Sequence, residues 1–206
     1  DESSFRSSLP FPLLVEEPMP AHPHVDETAQ RWSTPRPRIS VLIPVRNGAH
    51  CLGAQLDALA RQDVPEPWEV IVSDNGSTDG TRDLVLARRS GFPAALRLID
   101  SGAHPGVSFA RNAAIRAALA DKIAICDADD VVGPQWLRGA LDGLDVHDAV
   151  GGPLRRLAHP FDVESPLLPY ESVGPDGLMG GNIAMRTATV VGIGGWMSPV
   201  PAGTAT

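Results

Sequence analysis

Three carboxylates crowd the end of an apolar run at Ile125-Cys126-Asp127-Ala128-Asp129-Asp130. Carboxylates brought this close repel one another and raise one another's pKa unless a cation holds them ionised. A hard divalent ion with oxygen ligands is the natural cation, and one of the Mg2+ type also takes substrate phosphates. Asp127, Asp129 and Asp130 are therefore candidate ligands for Mn2+ or Mg2+. A solvated acidic turn ahead of a helix, with Asp130 as its cap, is the plainer use of the same residues. Two further clusters share this texture, Pro44-Val45-Arg46-Asn47-Gly48 and Ser73-Asp74-Asn75-Gly76-Ser77-Thr78-Asp79-Gly80. A carboxylate such as Asp74 can accept the imide N–H of a uracil or thymine ring, and a site built that way rejects analogues lacking the N–H. A tight turn with Asx and Ser caps would use the same four residues. Arg111-Asn112 stands in the first turns of an Ala-rich segment. From there a guanidinium can reach back over a base or diphosphate, helped by the positive helix end. His104, His147 and His159 fit packing or surface positions better than metal ligation.

These residues need a scaffold that gathers them on one edge. The stretch 122–126 reads as a short buried strand that delivers the acids to its carboxyl end, where open α/β sheets place their ligands. Residues 39–45 form a first strand, apolar on both faces. Leu52, Leu56, Leu59 and Ala60 recur at i, i+4, i+7 and i+8, the stripe of a helix of about three turns. Strands follow at 68–73 and 95–99. Between them a helix over 81–89 is opened by the cap candidates Ser77, Thr78 and Asp79. Val107, Ala110, Ala114 and Ala118 make one stripe of a helix starting near Pro105-Gly106, and 134–144 is a further helix. Strand and helix alternate throughout. The expected fold class is thus α/β, a Rossmann-like, mostly parallel sheet with helices on both faces and one binding edge. Past Val146 the pattern loosens. Residues 149–154 suit an edge strand or bulge, 158–177 a loop, 180–186 a strand and 187–191 a helical turn.

Composition narrows the function classes. The 206 residues carry 43% hydrophobic and 20% charged side chains, as ordinary globular chains do, enough for one substantial core. A net charge of -8 argues against nucleic acid or an anionic membrane as partner, since both attract positive surface. No apolar run approaches the roughly 20 residues of a membrane helix, so no transmembrane segment is expected. Cys51 and Cys126 fall in a predicted helix and a predicted strand. Buried, reduced thiols fit best, with a cytoplasmic location as the expectation. Residues 1–38 hold seven prolines without sustained periodicity and read as an extended leader, strapped to the domain by Phe5, Phe11 and Trp32. Residues 39–206 are the folded domain.

Taken in order, Ile39-Ser-Val-Leu-Ile-Pro-Val-Arg-Asn47, Val70-Ile-Val-Ser-Asp-Asn-Gly-Ser-Thr-Asp79, Gly106-Val-Ser-Phe-Ala-Arg-Asn112 and Ile125-Cys-Asp-Ala-Asp-Asp130 resemble the family 2 glycosyltransferases. The resemblance runs from residue 39 to about 196. It implies a GT-A fold, a nucleotide-diphosphosugar donor, a divalent metal, Mn2+ or Mg2+, and inversion at the anomeric carbon on transfer to an acceptor hydroxyl. By matched position, Pro44, Arg46 and Asn47 would line the nucleotide pocket and Asp74 would bind the base. Arg111 would help hold the nucleotide, and Asp127 would face the ribose and metal. Asp129 with Asp130 would complete the metal ligands. Gly180-Gly181-Asn182 resembles the family's segment beside the transferred sugar, where glycine lets backbone approach the donor. Two departures stand out. Asn75 occupies the place of a common Asp. The acidic pair that supplies the family's general base should follow Gly194-Gly195-Trp196 near Thr204 and Ala205, where the chain reads Ala-Gly-Thr-Ala-Thr, and no carboxylate follows Asp176. The catalytic base is therefore unassigned, and the domain reads as cut short at that edge. A donor-binding relative without catalysis is the alternative. A dinucleotide-binding protein is disfavoured, because no G-x-G-x-x-G follows the first strand and no P-loop occurs.

Overall fold

A computed structural model of the chain describes residues 35–152 and 180–196. The leader up to residue 34, the loop around 158–177 and the expected acidic-pair region near Thr204 lie outside the described residues.

One six-stranded sheet organises the rest. Its strands are β1 (Ile39–Val45), β2 (Trp68–Asp74), β3 (Ala95–Asp100), β4 (Lys122–Cys126), β5 (Ala149–Gly151) and β6 (Asn182–Arg186), in the spatial order β3-β2-β1-β4-β6-β5. The first four run parallel, and β6 and β5 are added antiparallel beyond β4. The antiparallel β6 matters for the site. Because it pairs Cys126 with Asn182, its start lies beside the end of β4, so Gly180-Gly181 arrives next to the acidic turn.

Five helices cover the two faces: α1 (Leu52–Ala60), α2 (Thr81–Arg88), α3 (Val107–Ala117), α4 (Trp136–Val146) and α5 (Thr187–Gly192). Strand alternation divides the core between them. Ile39, Val41, Ile43 and Val45 pack with Leu52, Leu56, Leu59, Val85, Leu137 and Leu144 under α1, α2 and α4. Leu42, Ile71, Ile123 and Ile125 pack with Ala113, Ala114, Ile115 and Val190 under α3 and α5. Both cysteines are buried and unbonded to each other. Among the described residues no helix is long and apolar enough to cross a membrane.

Three local expectations are corrected. Ala60 is exposed and Gln55 takes its place in the buried stripe of α1, while Val107 is exposed at the first turn of α3. The N-cap of α2 is Gly80, not a hydroxyl or carboxylate. Asp79 instead acts from one residue upstream, accepting the Thr81 N–H at 3.0 Å and, through its other oxygen, the Ala49 N–H at 3.0 Å. One carboxylate therefore joins the loop after β1 to the start of α2.

Candidate functional site

The site is the carboxyl edge of β1, β2 and β4, closed on one side by α3 and on another by the start of β6. The first two loops brace each other. Asn47 sits at φ 55°, a left-handed conformation that asparagine accepts better than most residues. Its Oδ1 accepts the Thr78 N–H at 2.8 Å, and its own N–H donates to Ser77 Oγ at 2.9 Å. Pro44 is buried within β1, and Arg46 is exposed at the rim. A proline is tolerable in this central strand because the β1–β4 register ends at Leu42, before the missing N–H is needed.

Asp74 closes β2 with a side chain 1% exposed. Its Oδ1 accepts the Ser77 N–H at 3.1 Å, and its Oδ2 pairs with Arg82 at 2.8 Å. Each carboxylate oxygen retains a second lone pair, so this bonding leaves acceptor capacity for a base. It also makes Asp74 a structural member of its loop, in the capped tight turn that residues 74–77 offered beside the base-binding role. Asn75 next to it is fully engaged. Its Nδ2 donates to Ser101 O at 2.6 Å and His104 O at 2.9 Å, and its Oδ1 accepts the Gly106 N–H at 2.8 Å. A carboxylate could not make those two donations, so the departure from the common Asp fixes the loop that leads into α3.

The acids form the third wall. Arg111, 8% exposed on α3, pairs through Nη2 with Asp127 Oδ1 at 2.8 Å. The Trp196 ring covers the guanidinium with its centre 5.0 Å from Cζ, a cation–π distance. Among the described residues Arg111 Nε is buried without a partner. Asn112 clamps the backbone of the same tryptophan, accepting its N–H at 2.7 Å and donating to its carbonyl at 2.9 Å. Gly180 and Gly181 run between these groups. A Cβ on Gly180 would stand 3.0 Å from Arg111 Nη1, and one on Gly181 would overlap the Asp127 carboxylate and lie 3.4 Å from Asp130 Oδ2. Gly181 is held to glycine by that close approach, while at Gly180 the Arg111 and Trp196 side chains would have to give way slightly.

Asp130 shows what crowding does. Its pKa is pushed up to about 6, first by burial and then by the charges of Asp127 and Asp129. The three acids nonetheless do not converge. Among the described residues no three His, Cys, Asp or Glu side chains are grouped as a metal cage. Asp127 pairs with Arg111, and Asp129 is exposed at the tip of the turn.

The sequence model of "Glycosyl transferase family 2" matches residues 40–175. The chain belongs to this family. Validoxylamine A glucosyltransferase of Streptomyces hygroscopicus subsp. limoneus is 38% identical over 109 residues, 51% of this chain and 23% of that protein. Poly(ribitol-phosphate) beta-glucosyltransferase of Bacillus spizizenii is 34% identical over 104 residues, 48% of this chain and 16% of that protein. Among solved structures, the mannosyltransferase PcManGT from Pyrobaculum calidifontis, in complex with GDP-Man and Mn2+, is 26% identical with a TM-score of 0.62, covering 82% of this chain and 50% of that one. The S. aureus TarS 1–349 structure shares the fold, with a TM-score of 0.60 at 24% identity, covering 78% of this chain and 50% of that one. These neighbours are GT-A glycosyltransferases, as the resemblance implied. The chain spans 23% of the length of the first relative and half of each of these structures.

Within this family 2 domain most of the expected residues share one edge, and one does not. Asn182 turns away from the acids. Its Oδ1 accepts the Trp136 indole N–H at 2.8 Å and its Nδ2 donates to Gly152 O at 2.9 Å, tying β6 to α4 and β5. The reason is parity: Asn182 lies opposite Cys126, whose side chain faces the α4 side of the sheet. Arg82 and Trp196 were not anticipated as site residues. Arg82 follows a cap motif and reads as an ordinary surface helix residue, and Trp196 gains its role only by meeting Arg111 across the fold.

Proposed function

We propose that this chain is the donor-binding part of an inverting glycosyltransferase that moves a sugar from a nucleotide-diphosphosugar, UDP or dTDP, to an acceptor hydroxyl with Mn2+ or Mg2+. The supporting observation is the arrangement of Arg111, Asp127 and Asp130 against the bare backbone of Gly181. It offers a cation, carboxylate oxygens and a path for close approach at one place.

The residues fit a hard divalent ion. The donors are all oxygen, and Asp130 is held protonated more readily than an ordinary carboxyl by burial and by the charges of Asp127 and Asp129, which a bound cation would offset. An ion of the Mg2+ type is commonly held by one or two carboxylates plus substrate phosphates, so a three-acid cage is not needed. Asp130 and Asp129 would hold it, with Asp127 between the ion and the ribose. When bound, the ion acts as a Lewis acid that neutralises the departing diphosphate. Arg111 donates to the same negative charge, and Trp196 keeps water from its face. Asp74 accepts the base N–H, while Asn47 and Asn75 hold the loops around it. PcManGT, with GDP-Man and Mn2+, supports a metal with a nucleotide sugar. The acceptor-side base is left unassigned, since the acidic pair expected near Thr204 and Ala205 is absent from the sequence.

Calorimetry with UDP, dTDP and GDP, each in Mn2+ and in EDTA, tests this. Tighter UDP or dTDP binding in Mn2+ is expected, with GDP weaker. Equal UDP affinity in Mn2+ and EDTA would refute the metal assignment, and preference for GDP would refute the base assignment.

A further inference from the structure

Helix α1 carries none of the ligands proposed above, yet Gln55 within it and Gln62 just past its end reach into the segment between β4 and α4. Gln55 is completely buried. Burying a neutral amide is costly unless both of its ends are hydrogen-bonded. Its Nε2 donates to the Asp127 carbonyl at 3.2 Å, and its Oε1 accepts the Val132 N–H at 3.0 Å. These two partners bracket the acidic turn, and both Asp129 and Asp130 lie between them. The turn's own closing bond, Asp130 N–H to the Asp127 carbonyl, is long at 3.3 Å, so the same carbonyl accepts from both. Gln62 repeats the arrangement one step on. Its Nε2 donates to Gly133 O at 2.8 Å and its Oε1 accepts the Leu137 N–H at 2.9 Å, closing the first turn of α4.

The acid turn therefore hangs from α1 by the two bonds of the Gln55 amide. Like charges within it favour a more open turn, and its single internal bond resists this weakly. A carboxylate at position 55 could not donate to the Asp127 carbonyl and would add a further negative charge. An apolar residue would leave a buried carbonyl and a buried N–H unpaired.

We propose that Gln55 is a positioning residue for metal binding: its amide holds the acid turn closed, so that Asp129 and Asp130 are presented at a spacing that takes a divalent cation with a diphosphate. This rests on the metal reading above. Gln55→Met keeps length and approximate volume while removing both bonds. Gln62→Met removes the α4 bonds and leaves those of the acid turn, and so serves as the control. UDP affinity is measured in Mn2+ and in EDTA, and backbone amide exchange is followed by NMR on the metal-free chain. Gln55→Met should weaken UDP binding at least tenfold in Mn2+ and less than twofold in EDTA. It should also speed exchange at Val132 at least tenfold, with β1 and β2 amides unchanged. Gln62→Met should lower the Tm and keep the Mn2+ advantage. If Gln55→Met fails to fold, Gln55→Glu keeps the shape and the Val132 bond while setting an acceptor against the Asp127 carbonyl, and the same loss of the Mn2+ advantage is expected. A wild-type chain that binds UDP equally in Mn2+ and EDTA overturns the metal reading and this role with it. A wild-type Mn2+ advantage that the Gln55 variant retains, or an equal loss in both conditions, overturns this role alone.

Discussion

The two ends of the sheet both carry carboxylates, and they treat the charge in opposite ways. At the amino end Glu69 is fully buried. One of its oxygens accepts from Ser40 Oγ at 2.6 Å and the Leu119 N–H at 2.8 Å, and the other pairs with Arg97 at 2.7 Å. Arg97 goes on to the Ala117 carbonyl at 2.9 Å, and Ser40 Oγ accepts the Ala120 N–H at 3.1 Å. The network settles its charge internally and locks the connection from α3 to β4. Of the three acids at the carboxyl end, Asp127 pairs with Arg111, whose Nε has no partner among the described residues, and Asp130 is pushed up to about 6. The comparison teaches where to look for chemistry. Buried charge that is fully answered within the fold is architecture, and charge left over at a strand end invites a ligand.

The largest effect that can test this contrast is at Glu69. Glu69→Ala strands Arg97 and leaves the Leu119 N–H unpaired, and breaking such a buried pair costs about 3–5 kcal/mol. Urea unfolding should show that loss, while UDP affinity of the folded fraction stays unchanged. A matching loss of UDP affinity would erase the distinction between the two ends.

Asp74 lies between the extremes, both architectural and poised for a ligand. Asp74→Asn removes a charge-assisted partner worth about 1.5–3 kcal/mol from UDP binding. Because Asp74 also pairs with Arg82 and accepts the Ser77 N–H, the Tm should fall as well. Calorimetry and thermal unfolding together check this, and a drop in Tm with normal UDP binding would move Asp74 wholly to the architectural side.

The smallest effect sharpens the contrast through pH. Asp130 has a folded-state pKa of about 6 against an ordinary 3.8, so the folded chain holds its proton longer than the unfolded chain. Its contribution to stability is greatest below the unfolded value and is lost as pH rises through about 6. The metal-free chain should therefore lose stability between about pH 4 and 7, and Asp130→Asn should flatten that slope. Mn2+ with UDP should restore stability above about pH 6, where the carboxylate is free to bind. Thermal unfolding across pH, with and without Mn2+ and UDP, measures both. An unchanged slope in Asp130→Asn would remove Asp130 from the strained edge.

Sequence alone determined the strand and helix order. Short, largely apolar runs rich in Ile and Val, such as 39–45 and 122–126, fit strands buried on both faces, and their polar ends fall on one edge by the geometry of parallel connections. It also determined the family and the candidate acids, because those motifs are local. Tertiary structure decided what each side chain does. Asn182 faces α4 and not the acidic turn because β6 runs antiparallel and sets its parity by pairing with Cys126. Asp127, Asp129 and Asp130 are neighbours in sequence, but Arg111, sixteen residues away, draws one of them aside. Trp196 reaches Arg111 and Asn112 across 84 or more residues, and Gln55 reaches the acid turn across 72. Such contacts leave no periodicity to read. They arise from the register of non-adjacent strands and the packing of helices on opposite faces, which only the folded chain sets.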